Sequence, residues 1–99
     1  MRVMNPEMPD VIRNEQTENL CRAFAGLNDP ENVRAFLEDI ASPGEIRAMS
    51  QRLEVARLLH DGMTYPEIMK ATGAGTATIS RVKRCLEYGP GGYRAVLGK

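Results

Sequence analysis

The sequence predicts an all-α fold, and three observations lead to that prediction. Apolar residues recur at helical spacing in several segments, and no stretch alternates apolar and polar residues over the length of a β-strand. Clusters of Gly, Pro, Asn and Asp separate those segments. The chain has 99 residues, of which 42% are hydrophobic and 26% charged, a size and composition typical of one small folded domain.

The size of the chain limits its core. A chain of this length buries only roughly 60–65% of its unfolded surface, and this one has no Trp, two Phe and three Tyr. We therefore expect a homodimer in which two copies share a core.

No apolar run reaches the roughly 18–20 residues of a membrane span, and the first residues lack the apolar segment of a signal peptide. The sequence predicts a cytoplasmic protein with reduced cysteines and no membrane partner.

Two amphipathic helices are expected in the first part of a single helical domain over residues 11–99. Residues 1–10 are expected to form a flexible arm. The first helix should cover about residues 11–25, and Asp29 with Pro30 should begin a second that ends near residue 41. Their apolar faces should carry Leu20, Phe24 and Leu27 in the first helix, and Val33, Phe36, Leu37 and Ile40 in the second.

A third helix is expected after a capping box at Ser42 and Glu45, ending near Asp61. Gly62 is placed to close it. Its apolar residues lie on more than one side, as expected for a helix buried between neighbours or between chains. We assign residues 11–61 to the dimerisation core. The apolar stripe consists of Ile46, Met49, Leu53, Ala56 and Leu59, with Val55 and Leu58 beside it.

Residues 64–88 have the layout of a helix-turn-helix, in which a glycine turn joins a short helix to a longer one. Thr64 and Glu67 form a second capping box, which begins the short helix. Gly73 lies in the turn, where we expect a positive φ. Thr76 is expected to cap the longer helix.

The longer helix should end at Tyr88, and residues 89–99 should form a C-terminal tail with one last turn. Ile68 and Ile79 should pack inside the corner, which leaves small polar and basic side chains facing outward. Small residues can approach base edges, and Lys and Arg pair with phosphates. The predicted DNA contacts are Thr76, Ala77, Thr78, Ser80, Arg81, Lys83 and Arg84, with Lys70 and Tyr65 from the shorter helix.

The charges of the chain are divided between its two halves. Residues 1–45 carry nine acids and four arginines, whereas residues 46–99 carry nine lysines and arginines and four acids. The net charge of zero therefore hides a basic half that contains the helix-turn-helix. Such an asymmetry favours a polyanionic partner, here double-stranded DNA.

The segment from Ala74 to Arg81 resembles the reading head of the bacterial tryptophan repressor. The strings at residues 51–57 and 76–86 resemble the YerC/YecD family of tryptophan-repressor-like proteins. The resemblance is densest over residues 40–88. It implies an all-helical fold in which two chains intertwine their N-terminal helices, and a regulator that binds DNA. It places Thr76, Ala77 and Ser80 at base-facing positions.

The resemblance also implies an effector pocket. It puts Arg52 and Arg81 where the repressor's two arginines sandwich the indole of tryptophan, Ser42 at a hydroxyl position beside the ligand, and Cys85 in place of a serine. Val82 replaces a glycine, and its branched side chain would project toward the indole, so we expect no tryptophan ligand and leave the effector open. Alternatively, the two arginines pair with acids such as Glu54 or Glu45, or reach phosphate. No cofactor is expected.

The sequence therefore favours a sequence-specific transcriptional regulator that binds palindromic DNA as a dimer. The alternative is a helical adaptor that contacts the transcription machinery without reading DNA, through its acidic half. An enzyme is not expected, because His60 and the distant Cys21 and Cys85 assemble neither a nucleophile–base pair nor a metal site.

Overall fold

The computed structural model describes residues 14–98, and these residues form six α-helices and no strand. The all-α prediction is confirmed. None of these helices is long and apolar enough to cross a membrane. The expected arm at residues 1–10 and the expected start of the first helix at residue 11 lie outside the described residues. The helices are α1 (Glu15–Ala25), α2 (Pro30–Ile40), α3 (Pro43–His60), α4 (Tyr65–Thr72), α5 (Thr76–Tyr88) and α6 (Gly92–Leu97).

Helix α1 begins four residues later than predicted, because Asn14 caps it. The backbone of Asn14 is extended, and its Oδ1 accepts a hydrogen bond from the Thr17 amide at 2.8 Å. This bond satisfies one of the first-turn amides, which have no partner inside the helix. The apolar periodicity continues upstream of Asn14 in the sequence, and it therefore gave no signal for this boundary.

Residues 14–46 belong to one compact unit, the N-terminal unit. Asp29 caps α2 as predicted, and its Oδ1 accepts from the Asn32 amide at 2.9 Å. The rings of Phe24 and Phe36 meet edge to face with centroids 5.0 Å apart. None of the described residues of this unit is buried.

Residues 47–98 belong to the second compact unit, the C-terminal unit. It contains every buried residue of the described chain. Helix α3 contributes from its C-terminal half, and α4, the turn and α5 supply the remaining residues. The core consists of Val55, Ala56, Leu58, Ile68, Ala74, Ile79 and Val82. The prediction that Ile68 and Ile79 pack inside the corner of the helix-turn-helix is confirmed.

The predicted stripe of α3 is only partly buried. Met49 and Leu53 are each 41% exposed, and Ile46 and Leu59 are half-buried. The residues placed beside the stripe, Val55 and Leu58, are the buried ones, together with Ala56. The two faces thus have different surroundings, because α4, α5 and the turn cover only one of them.

Both predicted capping boxes are present. The Ser42 Oγ accepts from the Glu45 amide at 3.1 Å, and the Glu45 carboxylate accepts from the Ser42 amide at 2.7 Å. The same reciprocal pair joins Thr64 and Glu67 at the start of α4. Each box lowers the pKa of its glutamate, because the hydrogen bonds stabilise the carboxylate.

Helix α6 is a six-residue helix rather than one last turn, and it begins at Gly92. Its partly buried side chains, Tyr93 and Leu97, pack against the core of the C-terminal unit. A helix this short has little stability by itself. Its formation therefore depends on the docking of these side chains.

Candidate nucleic-acid interface

Helix α5 has one buried face and one exposed face. Ile79 and Val82 are 0% and 1% exposed and belong to the core. From Thr76 to Arg84 the exposed side chains are small, polar or basic, and the exposed Glu87 and Tyr88 follow only at the end of the helix. The exposed residues of the first part are Thr76, Ala77, Ser80, Arg81, Lys83 and Arg84.

The turn that sets the direction of α5 is held by specific backbone contacts. Gly73 has φ of 75°, as predicted for the turn, and ends α4 with its amide bonded to the Met69 carbonyl. The Thr72 hydroxyl donates to the Ile68 carbonyl at 2.8 Å and accepts from the Ala74 amide at 3.1 Å. Ala74 is itself 4% exposed. The turn is therefore tied to the core and fixes the point where α5 begins.

A side chain of α3 also holds this turn. The Gln51 amide nitrogen Nε2 donates to the Thr72 carbonyl at 3.1 Å. The last carbonyls of a helix have no partner inside the helix, so Gln51 satisfies one of them at the end of α4. Gln51 lies in the segment 51–57 on which the family resemblance rests, but no pattern in the sequence predicts its hydrogen bond to Thr72.

The N-terminus of α5 differs from the prediction. Gly75, not Thr76, is the N-cap residue, and no side chain bonds to the first-turn amides. Thr76 is the first helical residue, so its hydroxyl does not cap the helix. The first turn also contains no acid. The partial positive charge of the helix start is thus available to a phosphate oxygen.

The remaining predicted DNA contacts differ in their surroundings. Lys70 is exposed on α4. Thr78 is half-buried, and Tyr65 is half-buried and packs against the core. The packing of Tyr65 supplies a structural role for its ring, and a phosphate contact through its hydroxyl stays a prediction.

Three of the four predicted effector residues lie around Tyr93, which sequence reasoning had placed in the tail. Arg52, Arg81 and Cys85 all act electrostatically on the pKa of the Tyr93 hydroxyl. Burial raises the pKa of Tyr93, and the two arginines act in the opposite direction. The only local sign of Tyr93 in the sequence is that an aromatic residue follows the glycine-rich segment after α5. The fourth residue, Ser42, serves in the capping box of α3.

Val82, which the sequence predicts to occupy the space of an indole, is a buried residue of the C-terminal unit. Its side chain is 1% exposed and forms part of the core cluster with Val55 and Ile79. It is therefore a packing residue of this core. Whether tryptophan binds stays a prediction.

The alternative partners of the two arginines are engaged elsewhere. Glu54 forms an ion pair with Arg57, with Nη2 and Oε2 2.5 Å apart, and Glu45 accepts from the Ser42 amide. Neither acid forms an ion pair with Arg52 or Arg81 in the part of the chain that the structure describes. The pKa of Glu54 is lowered by its hydrogen bond from Arg57.

The residues considered for chemistry remain dispersed. Within residues 14–98, no group of three or more His, Cys, Asp or Glu side chains could hold a metal ion. His60 and Cys21 are exposed, and Cys85 is half-buried. The α4–α5 pair, whose outward face carries basic side chains, is therefore our candidate functional site.

These helices define the chain as an all-helical helix-turn-helix protein. The family model described as Trp repressor protein matches residues 15–99. The chain belongs to this family of DNA-binding regulators. It is 44% identical over 90 residues to the uncharacterized protein YerC of Bacillus subtilis (strain 168), a match that covers 91% of this chain and 86% of YerC.

Solved structures agree with this assignment. The chain is similar to a TrpR-like protein from Eubacterium eligens ATCC 27750, with a TM-score of 0.86, 41% identity, and coverage of 91% of this chain and 93% of the other. A crystal structure of a protein from Staphylococcus aureus gives a TM-score of 0.85 and 38% identity, with coverage of 97% and 93%. The resemblance inferred from the sequence is confirmed.

Proposed function

We propose that this protein is a dimeric transcriptional regulator of the cytoplasm that binds a palindromic DNA site. Helix α5 enters the major groove, and its two copies in the dimer contact half-sites one helical turn, or a multiple of it, apart. The observation that supports the proposal is that α5 has one buried face and one exposed face. Its core face fixes the helix, and its exposed face offers small residues to bases and cations to phosphates.

The exposed residues have different roles in this proposal. Thr76, Ala77 and Ser80 read base edges, since their short side chains allow the helix to approach the groove floor. Thr78 lies beside them on the helix. Arg81, Lys83, Arg84 and Lys70 bind phosphates, with Tyr65 at the edge of the motif. The uncapped first turn of α5 adds backbone amides for one phosphate.

The N-terminal unit supports the dimer. Its two amphipathic helices bury no residue within one chain, and Leu20 and Ile40 are 38% and 52% exposed. Apolar surface of this extent is usually covered by a partner. A second copy is the occupant that a palindromic site requires.

The first experiment selects bound fragments of the source genome with the purified protein, with and without added tryptophan. Enrichment of a palindromic sequence in both conditions is the expected result. Enrichment only with tryptophan would retain the regulator and identify the effector, against our expectation. No enrichment in either condition would contradict the proposal and favour the adaptor alternative.

Two kinds of variant then separate the proposed roles. Lys83→Ala should weaken binding to all sequences and reduce the slope of log affinity against log salt by about one unit. Arg34→Ala is the matched control, because Arg34 is an exposed residue of α2 that pairs with Glu31 3.3 Å away. Thr76→Ala and Ser80→Ala should relax base preference at one position and leave the salt slope unchanged. Equal behaviour of both classes would contradict the assignment of roles.

A further inference from the structure

We propose that Gln51 is a positioning residue for DNA recognition. Through its hydrogen bond to the Thr72 carbonyl, this residue of α3 holds the turn between α4 and α5 in the conformation from which the reading residues of α5 begin. The effect on DNA rests on the proposed function, but the hydrogen bond is a feature of the chain alone.

The turn between α4 and α5 has little means of holding its own conformation. It consists of Gly73, Ala74 and Gly75, and the two glycines have no side chain that could pack or bond. Glycine backbones also reach more conformations than those of other residues. The Ala74 methyl group is the one side chain that the turn offers to the core, and Ala74 is 4% exposed. The turn therefore depends on hydrogen bonds to the residues beside it.

Several of these hydrogen bonds meet at Thr72, the last residue of α4. Its hydroxyl donates to the Ile68 carbonyl at 2.8 Å and accepts from the Ala74 amide at 3.1 Å. Its carbonyl accepts from Gln51 Nε2 at 3.1 Å. The first two bonds stay within the helix-turn-helix, whereas the third joins this motif to α3.

Gln51 has a position on α3 that suits this contact. It lies one turn before Val55 and two turns before Leu58 on the same face of the helix, and those two residues are 0% and 6% exposed. Gln51 itself is half-buried. An apolar residue there would continue the packed face, but it would supply no donor for a carbonyl at the end of α4. A glutamine at this position therefore joins the packed face of α3 to the end of α4.

The conformation of the turn determines where the reading residues lie. Thr76 and Ala77 are the first two residues of α5 and follow the turn directly. Ile79, the first buried residue of α5, comes after them. Release of the turn should therefore lower the fraction of molecules in which Thr76 and Ala77 fit the groove. The apparent affinity for DNA falls in proportion to that fraction.

The test removes the donor of Gln51 and follows the turn by amide hydrogen exchange at neutral pH, without DNA. Gln51→Met keeps an unbranched side chain of similar length and has no donor. The amides to follow are those of Gly73 and Ala74, which are hydrogen-bonded at the turn. The Ile68 amide, which is hydrogen-bonded in the first half of α4, is the internal reference.

Two further variants complete the exchange experiment. Gln51→Glu keeps the shape of glutamine but has only acceptor oxygens when ionised, so it distinguishes loss of the donor from a change of packing. Arg57→Met is the matched control on the same helix. Arg57 is exposed, and its side chain bonds to Glu54 at 3.1 Å and to Asp61 at 3.2 Å rather than to the turn.

Both Gln51 variants should make exchange of the Gly73 and Ala74 amides several times faster, while the Ile68 amide keeps its wild-type rate. Arg57→Met should leave all three rates unchanged. Equal acceleration of all three amides in the Gln51 variants would indicate a general loss of stability and overturn the positioning role. Wild-type exchange of Gly73 and Ala74 in either Gln51 variant would overturn it as well.

DNA binding supplies the second measurement. Gln51→Met should lower the affinity for the selected palindromic site roughly two- to tenfold, the range for loss of one hydrogen bond. The affinity for random-sequence DNA of the same length should stay at the wild-type value, and so should the salt slope, because no phosphate contact is removed. An equal loss for both DNAs, or no loss for either, would overturn the role in recognition.

Failure of the proposed function is distinguishable from failure of this inference. If the wild-type protein enriches no DNA, the regulator proposal fails, and the exchange measurement decides about Gln51 alone. Selective acceleration at Gly73 and Ala74 would then still support its hold on the turn. Wild-type exchange of these two amides would overturn it.

Discussion

The two units of this chain differ in how far they bury their apolar side chains. The C-terminal unit contains all seven buried residues of the described chain, drawn from α3, α4, α5 and the turn between the last two. The N-terminal unit has two helices with well-formed apolar faces and no buried residue. The helix-turn-helix thus has a core inside one chain, whereas the helices before it offer apolar surface for contact with a partner.

The two units therefore gain stability from different contacts, one from contacts within a chain and the other from contacts between chains. Side chains in the core of the C-terminal unit contribute through contacts within one chain. In the proposed dimer, the side chains of α1 and α2 contribute mainly through contacts between chains, so their contribution depends on protein concentration. Substitutions in the two units should therefore have different signatures, and the following predictions use that contrast.

The largest effect is expected for Ile79→Ala in the core of the C-terminal unit. Removing this fully buried side chain leaves a cavity and should lower the free energy of unfolding by about 3 kcal/mol. Urea unfolding at two protein concentrations measures the loss, which should be the same at both because the lost contacts lie within one chain. A loss below about 1 kcal/mol would contradict the assignment of Ile79 to a packed core.

A charge on the N-terminal unit should act on association. Leu20→Glu places a carboxylate on the apolar face of α1 and should raise the dimer dissociation constant roughly 100-fold, or about 2.7 kcal/mol. Sedimentation equilibrium measures this constant. Val96→Glu is the control, because it adds the same charge to an exposed site of the C-terminal unit. An unchanged constant for Leu20→Glu would exclude α1 from the interface.

Two glycines, one in each unit, make a smaller and matched comparison. Gly73→Ala forces a side chain into a backbone with φ of 75° and should cost about 1–2 kcal/mol. Gly44→Ala lies in the first turn of α3, where a Cβ would meet nothing within 4 Å, and should be neutral or stabilise by roughly 0.5 kcal/mol. Thermal unfolding of both variants measures the difference. Equal effects would mean that the turn conformation of Gly73 carries no specific requirement.

The local signals in the sequence were sufficient for most of this fold. The capping boxes, Asp29 and Gly73 predicted the starts of α2, α3 and α4 and the end of α4, because these residues bond to backbone atoms within four positions. Contacts that join distant residues leave no such local signal. The bond from Gln51 to the end of α4 spans 21 positions, and no local pattern identifies such a pair.

One local expectation was wrong for a physical reason, and a second concerned burial. Thr76 is a good capping residue type, but Gly75 before it has the extended backbone that a cap requires. For Val82, the sequence predicts a branched side chain in the space that an indole would need, and in the structure this side chain is buried in the core cluster. Residue type alone does not tell which of two adjacent residues caps a helix, or which side of a helix faces the core.

The smallest effect concerns pH and again compares the units. Hydrogen bonds lower the folded-state pKa of Glu45 and Glu67 below the ordinary value of 4.5. Each capping box should therefore contribute stability that is complete above about pH 4.5 and is lost as pH falls through the lower folded-state pKa. Urea unfolding between pH 3 and pH 7 should show this decline.

Glu45→Gln and Glu67→Gln should each make the decline shallower, because glutamine keeps the hydrogen bonds of the box without titrating. Gln16→Glu, which adds a titrating group to the first turn of exposed α1 without a box, serves as the comparison and should steepen the decline only slightly, because only the helix N-terminus stabilises its carboxylate. Identical pH profiles for wild type and both glutamine variants would show that these boxes do not contribute to acid sensitivity.

The division of α5 into a buried and an exposed face has a consequence for how such a protein can change over generations. Substitutions at Thr76, Ala77 or Ser80 alter the surface without removing any core contact, so new binding preferences can be sampled one residue at a time in a folded protein. Ile79 and Val82 do not have this freedom, since they hold the helix in place. Relatives that share this core can therefore diverge in the DNA they prefer while keeping the same architecture.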